Sequence, residues 1–112
     1  MKKIVLSAFL LLSIFSNEAL AEPESRIIID VRTESEWLGG HLQGASHIAL
    51  SEIKNKIKVF EPNQDAEIML YCRSGNRSGK AKTILEDMGY TNVKNIGGIS
   101  SASSAFNIKI IK

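Results

Sequence analysis

Ile68-Met69-Leu70-Tyr71-Cys72-Arg73-Ser74-Gly75-Asn76-Arg77-Ser78 is the stretch on which the architecture turns. Ile68 to Tyr71 is an apolar run of strand length. Small polar residues around Gly75 mark a loop from Cys72 to Ser78. Beyond it Ala81, Ile84, Leu85 and Met88 fall at i, i+3, i+4 and i+7, the stripe of an amphipathic helix. Gly89 stands where a left-handed residue closes that helix. Strand, loop and helix therefore follow one another directly.

The same alternation continues on either side. Upstream, Ile27-Ile28-Ile29-Asp30-Val31 is a β-branched run that suits a strand buried on both faces. A helix follows from Thr33, where Thr33 and Glu36 have capping-box spacing, and Gly39-Gly40 stops it. His47-Ile48-Ala49 reads as a short strand. Ser51 is placed to cap a helix carrying Ile53, Ile57 and Phe60 on one stripe, ended by Pro62 and Asn63. Downstream, Val93 to Ile96 is a strand closed by Gly97-Gly98. The Ser-rich segment from Ile99 and the apolar Ile108 to Ile111 receive no element from the residues alone. Strands alternating with helices in a short chain imply an α/β fold: a small parallel sheet flanked by helices on both faces.

With 112 residues the chain has room for one domain. Its 23% charged and 44% hydrophobic residues are ordinary globular composition, which excludes collagenous and disordered classes. A net charge of +2 without a Lys or Arg run argues against a nucleic-acid partner. Lys2-Lys3, the apolar run Ile4 to Phe15 and Ala19-Leu20-Ala21 have the order of a cleavable signal peptide. The apolar run is too short for a membrane span, which needs ~20 residues. The expected organisation is a leader over residues 1–21 and one domain over 22–112. The mature chain is then expected in the periplasm, as a monomer, without stable membrane insertion. Cys72 is the sole cysteine, which excludes an internal disulfide and multi-cysteine metal sites. His41 and His47 have no partners at metal-ligand spacing, so no metal is expected, and no other cofactor.

An unpaired thiol in an oxidising compartment needs an explanation, and the neighbours of Cys72 supply one. Cys72 ends a strand just before a loop and a helix, where open α/β sheets bind ligands. A curled loop around Gly75, backed by a helix N-terminus, favours an anion and hence a thiolate. Arg73 and Arg77 add positive charge and suit an anionic substrate. Cysteine phosphatases place an arginine six residues after the cysteine; here Ser78 stands there and Arg77 comes one place early. No histidine is tied to Cys72 by a motif, as a cysteine protease would require. The chemistry should then be one that a thiolate performs unaided; attack on a sulfur atom qualifies, as in thiol exchange or sulfur transfer.

These residues resemble a known family, the rhodaneses, or thiosulfate sulfurtransferases, in single-domain form. Ile29-Asp30-Val31-Arg32 resembles its first strand and Asp-x-Arg signature, and Glu36-Trp37 its following helix. Gly40-His41-Leu42-Gln43-Gly44-Ala45 is similar to its Gly-His-Ile-x-Gly-Ala element. Tyr71 to Ser78 resembles its active-site loop, and Gly89-Tyr90 and Gly97-Gly98 match its later turns. The small size and leader are most similar to the periplasmic phage-shock-type rhodaneses of Gram-negative bacteria. One departure is Ile99-Ser100-Ser101, where many members carry a Trp after the paired glycines.

The resemblance implies a double displacement. Cys72 takes the outer sulfur of thiosulfate as a persulfide, sulfite leaves, and cyanide or a thiol accepts the sulfur. It also implies that the amides of Arg73, Ser74, Gly75, Asn76, Arg77 and Ser78 cradle the sulfur. Arg73 and Arg77 then hold the sulfonate, while Asp30 and Arg32 act as a supporting ion pair. His41 reads as a hydrogen-bonded structural residue and Trp37 as core or rim packing. Two other functions stay open. One is a persulfide carrier or binding module with little small-molecule turnover. The other is a phosphatase-like enzyme, which Ser78 disfavours.

Overall fold

The computed structural model describes residues 26–112, so the expected leader over 1–21 lies outside the described residues. The elements run β1 (Ile27–Asp30), α1 (Glu34–Leu38), β2 (His41–Leu42), β3 (Ser46–His47) and α2 (Leu50–Phe60). They continue with β4 (Ile68–Cys72), α3 (Asn76–Asp87), β5 (Val93–Gly98), α4 (Ile99–Phe106) and β6 (Ile110–Ile111). Four strands form a parallel sheet in the order β3-β1-β4-β5. Ile29 lies opposite Leu70 on one side and Ser46 on the other, while β2 and β6 form a separate antiparallel ribbon.

Alternating side chains sort the sheet into two faces. Ile27, Ile29 and Val31 from β1 and its end join Ile68, Leu70 and Cys72 from β4. They meet Ile53 and Ile57 of α2 and Ala81 and Leu85 of α3. Ile28 and Tyr71 point the other way, toward Leu42, Ile99 and Ala102. Helices therefore cover both faces, as the sequence pattern requires. Every residue of β4 is buried, which places the end of that strand, and Cys72 with it, at the centre of the molecule. Fully burying one such aliphatic side chain contributes about 1.5–3 kcal/mol.

Local signals account for several boundaries. Thr33 caps α1 with the full reciprocal box: Glu36 N–H donates to Thr33 Oγ1 at 3.3 Å, and Thr33 N–H donates to Glu36 Oε1 at 3.0 Å. Gly89, just past α3, has φ 104°, the left-handed conformation expected there.

Other boundaries differ from the sequence reading. Ser51 does not cap α2; the helix starts at Leu50, and Ala49 at the cap makes no side-chain bond. The Leu50 N–H instead donates to the Val31 carbonyl, so the end of β1 satisfies a donor that a cap would otherwise take. The second strand is Ser46–His47 rather than His47 to Ala49, because pairing with β1 stops at Asp30↔His47. Gly97-Gly98 does not close β5 but lies within it, with Cys72 opposite Gly98. Two steps along β4, from Leu70 to Cys72, span three along β5, from Asn95 to Gly98. This bulge carries Gly97 at φ 89°. It brings Gly98 so close to the active loop that a Cβ there would collide with the Arg73 carbonyl.

The segment after Gly98 is ordered. Ile99, Ala102 and Phe106 form the apolar spacing of α4, and Ala102 is fully buried. Asn107 ends that helix at φ 55°, and the Ile108 N–H donates to the Ser103 carbonyl. The chain can then return as β6 beside β2. This helix begins at Ile99, where many rhodaneses carry a Trp after the paired glycines.

Candidate active site

Cys72 sits where β4 stops and α3 has not begun. Gly75 is the N-cap of α3, with φ 97°, and offers no side chain to accept from the first helical N–H groups. The Cys72 sulfur takes that role. Gly75 N–H donates to Sγ at 3.0 Å, Ser78 N–H at 3.4 Å, and Ser78 Oγ lies at 3.4 Å. An orphaned helix end and a sulfur atom thus satisfy one another. Gly75 is needed because a side chain at that φ is strained.

This arrangement favours negative charge on sulfur. Burial pushes the Cys72 thiol up. The Ser78 hydroxyl and the amides of Ser78, Ser74 and Gly75 outweigh it and bring the thiol down to about 7. The thiolate is therefore favoured at lower pH than in a free cysteine. Alkylation of Cys72 by iodoacetamide should rise with pH through a midpoint of about 7, against ~8.5 for a free thiol. Only one cysteine is present, so thiol loss reports one group. A midpoint at the free-thiol value would show that the loop does not favour the thiolate.

Arg73, Ser74 and Asn76 are exposed at the loop surface, and Ser78 is buried beside the sulfur. Arg73 makes no ion pair among the described residues. Arg77 differs from the expectation of a free sulfonate ligand. Its Nη1 and Nη2 donate to the two carboxylate oxygens of Glu36 at 2.7 and 3.0 Å. Glu36 already serves the α1 cap, so one carboxylate joins α1 to α3 across the site. The Arg77 guanidinium first, and then the Thr33 donors, overcome its partial burial and hold Glu36 down at about 2.

Asp30 and Arg32 form a buried ion pair below the loop. Arg32 Nε and Nη2 donate to both Asp30 oxygens, at 2.8 to 3.1 Å, and Arg32 Nη2 also reaches the Gly40 carbonyl at 2.6 Å. The guanidinium carbon lies 5.8 Å from the Tyr71 ring centroid. Trp37 stacks on His41 at 3.5 Å between centroids and on His47 at 5.1 Å. His41 Nδ1 hydrogen-bonds the Trp37 carbonyl, and His47 Nε2 the Arg32 carbonyl. Neither imidazole reaches the sulfur by a hydrogen bond. No group of three His, Cys, Asp or Glu side chains suited to a metal occurs among the described residues.

One residue of the site has no signal in the local sequence. Asn95 of β5 accepts from Ser78 Oγ at 2.7 Å and donates from Nδ2 to the Gly75 carbonyl at 3.0 Å. It reaches the loop only because β5 lies beside β4. A cleft of about 470 Å³ bounded by His47, Ile48, Asn55, Lys56, Val59 and Phe60 lies elsewhere and includes no loop residue. The loop geometry, not cavity size, makes Cys72 the candidate reactive group.

The chain is similar to proteins already known. The rhodanese-like domain model matches residues 16–105. A thiosulfate sulfurtransferase of Escherichia coli, PspE, is 44% identical over 71 residues, covering 63% of this chain and 68% of that protein. A sulfurtransferase of Allochromatium vinosum is 33% identical over 82 residues, covering 73% of this chain and 75% of that one. Among solved structures, a rhodanese with anions from E. coli superposes with a TM-score of 0.66 at 41% identity, over 68% of this chain and 89% of that one. The parallel sheet, the cysteine at its centre and these relationships agree: the chain belongs to the rhodanese-like sulfurtransferase family.

Proposed function

We propose that this protein is an exported thiosulfate sulfurtransferase that works through a Cys72 persulfide. The observation that carries the reading is the Cys72 sulfur held by Gly75 N–H, Ser78 N–H and Ser78 Oγ at the head of α3. Such a cage stabilises a thiolate without a general base, which suits attack on sulfur. The Cys72 thiolate attacks the outer sulfur of thiosulfate. The S–S bond of the donor breaks and sulfite leaves with its electron pair. An acceptor thiolate or cyanide then attacks the outer sulfur of the persulfide, and the electron pair returns to Sγ. No cofactor is required at either step.

Arg73, exposed and without an ion pair among the described residues, is the guanidinium assigned to the sulfonate. Arg77, held by Glu36, adds positive field next to it. The remaining loop residues, Ser74, Gly75, Asn76 and Ser78, present the amides that receive the sulfur. The leader-like order of residues 1–21 supports export to the periplasm.

Intact mass of the exported protein, before and after excess thiosulfate, tests both parts. The expected result is a chain beginning after Ala21 that gains the mass of one sulfur atom and loses it to cyanide. No gain in fully reduced protein would remove thiosulfate as donor. Saturable gain without steady-state turnover would make the protein a persulfide carrier instead. The phosphatase-like alternative requires Cys72-dependent hydrolysis of an aryl phosphate.

A further inference from the structure

Ser78 Oγ lies 3.4 Å from Cys72 Sγ and 2.7 Å from Asn95 Oδ1. A hydroxyl carries one proton and donates to one of them at a time. The orientation of the Asn95 carboxamide follows from partners with a single role each. The Gly97 N–H can only donate, and it meets Oδ1 at 3.0 Å. The Gly75 carbonyl can only accept, and it meets Nδ2 at 3.0 Å. Oδ1 is therefore the atom turned to Ser78, and the hydroxyl has two competing acceptors.

We propose that Asn95 is a positioning residue: it accepts the Ser78 hydroxyl proton while Cys72 Sγ is uncharged and gives it up when Sγ becomes a thiolate. The inference rests on the sulfurtransferase reading and deepens it. In the thiol form, S–H donates to Ser78 Oγ, which donates to Asn95 Oδ1. On ionisation the thiol proton leaves to solvent and the hydroxyl turns to sulfur. Asn95 Oδ1 then keeps the Gly97 N–H and, since Asn95 is exposed, gains water. Neither position leaves a buried acceptor bare.

The same turn follows the reaction. When Sγ forms the bond to the outer sulfur of thiosulfate, sulfite takes the electron pair and Sγ loses its charge. The hydroxyl returns to Asn95. When the acceptor removes the outer sulfur, the pair comes back to Sγ, and so does the hydroxyl. No proton is transferred in this turn; one O–H bond rotates. The competition keeps the thiolate from being over-stabilised, which matters because a thiolate of very low basicity is a poor nucleophile.

The charged groups around the sulfur are Arg77 of α3, paired with Glu36 of α1, Arg73 in the loop, and the Asp30–Arg32 pair at the end of β1. None of them is hydrogen-bonded to Ser78 Oγ or Asn95 among the described residues. They contribute alike to every protein compared below.

The test is a four-protein cycle: the parent, Asn95→Ala, Ser78→Ala and the double variant. The Cys72 titration is read from thiolate ultraviolet absorbance without any sulfur donor. Loss of Asn95 also loosens the Gly75 carbonyl, but that effect occurs with or without Ser78 and cancels in the cycle. The expected result is that Asn95→Ala lowers the midpoint, relative to its effect in the Ser78→Ala background, by about half a pH unit or more. A coupling of zero, or of opposite sign, would overturn the proposal. Asn95→Asp offers a stronger acceptor and should reverse the sign of the coupling, which keeps the test available if Asn95→Ala fails to fold. Persulfide formation in the parent is read separately by mass, so failure of the coupling and failure of the sulfurtransferase reading are distinct results.

Discussion

Cys72→Ser should abolish thiosulfate:cyanide sulfur transfer, with turnover falling by at least about a thousandfold, the scale seen when a covalent nucleophile is removed. The oxygen of serine is smaller and its proton far less acidic than that of a thiol. It cannot form a persulfide, and no other sulfur nucleophile is available, because Cys72 is the only cysteine. The substitution should leave the fold intact. A serine oxygen can accept from the same Gly75 and Ser78 N–H groups that now reach Sγ. The two readouts are a steady-state assay and a thermal melt on the same preparation. A folded variant with full activity would remove Cys72 from the mechanism. An unfolded variant would be followed by Cys72→Ala, and the same loss of turnover is expected from it.

The largest effect on stability is expected at Asp30. Asp30→Ala should cost about 3–5 kcal/mol, because it leaves the Arg32 guanidinium buried without its counter-charge. The side chains of the pair are only 7% and 0% exposed, so water cannot replace the carboxylate. Asp30 also accepts from the Arg32 N–H at 2.9 Å, which holds the turn out of β1. The remaining Gly40 carbonyl bond satisfies one donor of five but carries no full charge. A domain of this size has a total stability of about 5–15 kcal/mol, so the loss removes much of the margin. A urea melt should show the midpoint falling with little change in slope. A loss below about 1 kcal/mol would mean that solvent reaches Arg32 after all. Replacing both partners, as Asp30→Leu with Arg32→Met, should recover part of the loss, since no unpaired charge is then buried.

These two results would weigh different parts of the site. In the proposed reaction Cys72 supplies the reacting atom, and Asp30 acts only through the frame that presents it. Glu36 lies between these roles. Its carboxylate completes the α1 cap and holds Arg77, so it links local helix chemistry to the charge around the thiol. Folding lowers its pKa from 4.5 to about 2. Its contribution to stability is thus present above the unfolded value of 4.5 and is lost as pH falls through about 2.

The parts of the fold that depend on neighbours along the chain are legible in the amino acids alone. The apolar run Ile68 to Tyr71, the turn at Gly75 and the helical stripe Ala81 to Met88 define a strand-loop-helix unit. The Thr33–Glu36 spacing predicts a cap that forms as written, because both partners lie within one helical turn. Ile99, Ala102 and Phe106 also carried a readable helical spacing, which the serines between them obscured, since serine is a weak helix former. Which distant groups meet the loop is set by the packing of the whole chain. Asn95 reaches Ser78 and Gly75 because β5 lies beside β4 and a bulge shifts its register by one residue. Arg77 is held rather than free because α1 lies across from α3 and carries Glu36 to it. Ser51 does not cap its helix because the helix begins one residue earlier, at Leu50, whose N–H is held by the Val31 carbonyl at the end of β1. Periodicity and capping act over one or two turns of backbone and can be read from spacing. Strand neighbours, register and the approach of separate helices depend on how the whole chain crosses over and packs, and no local pattern encodes those distances.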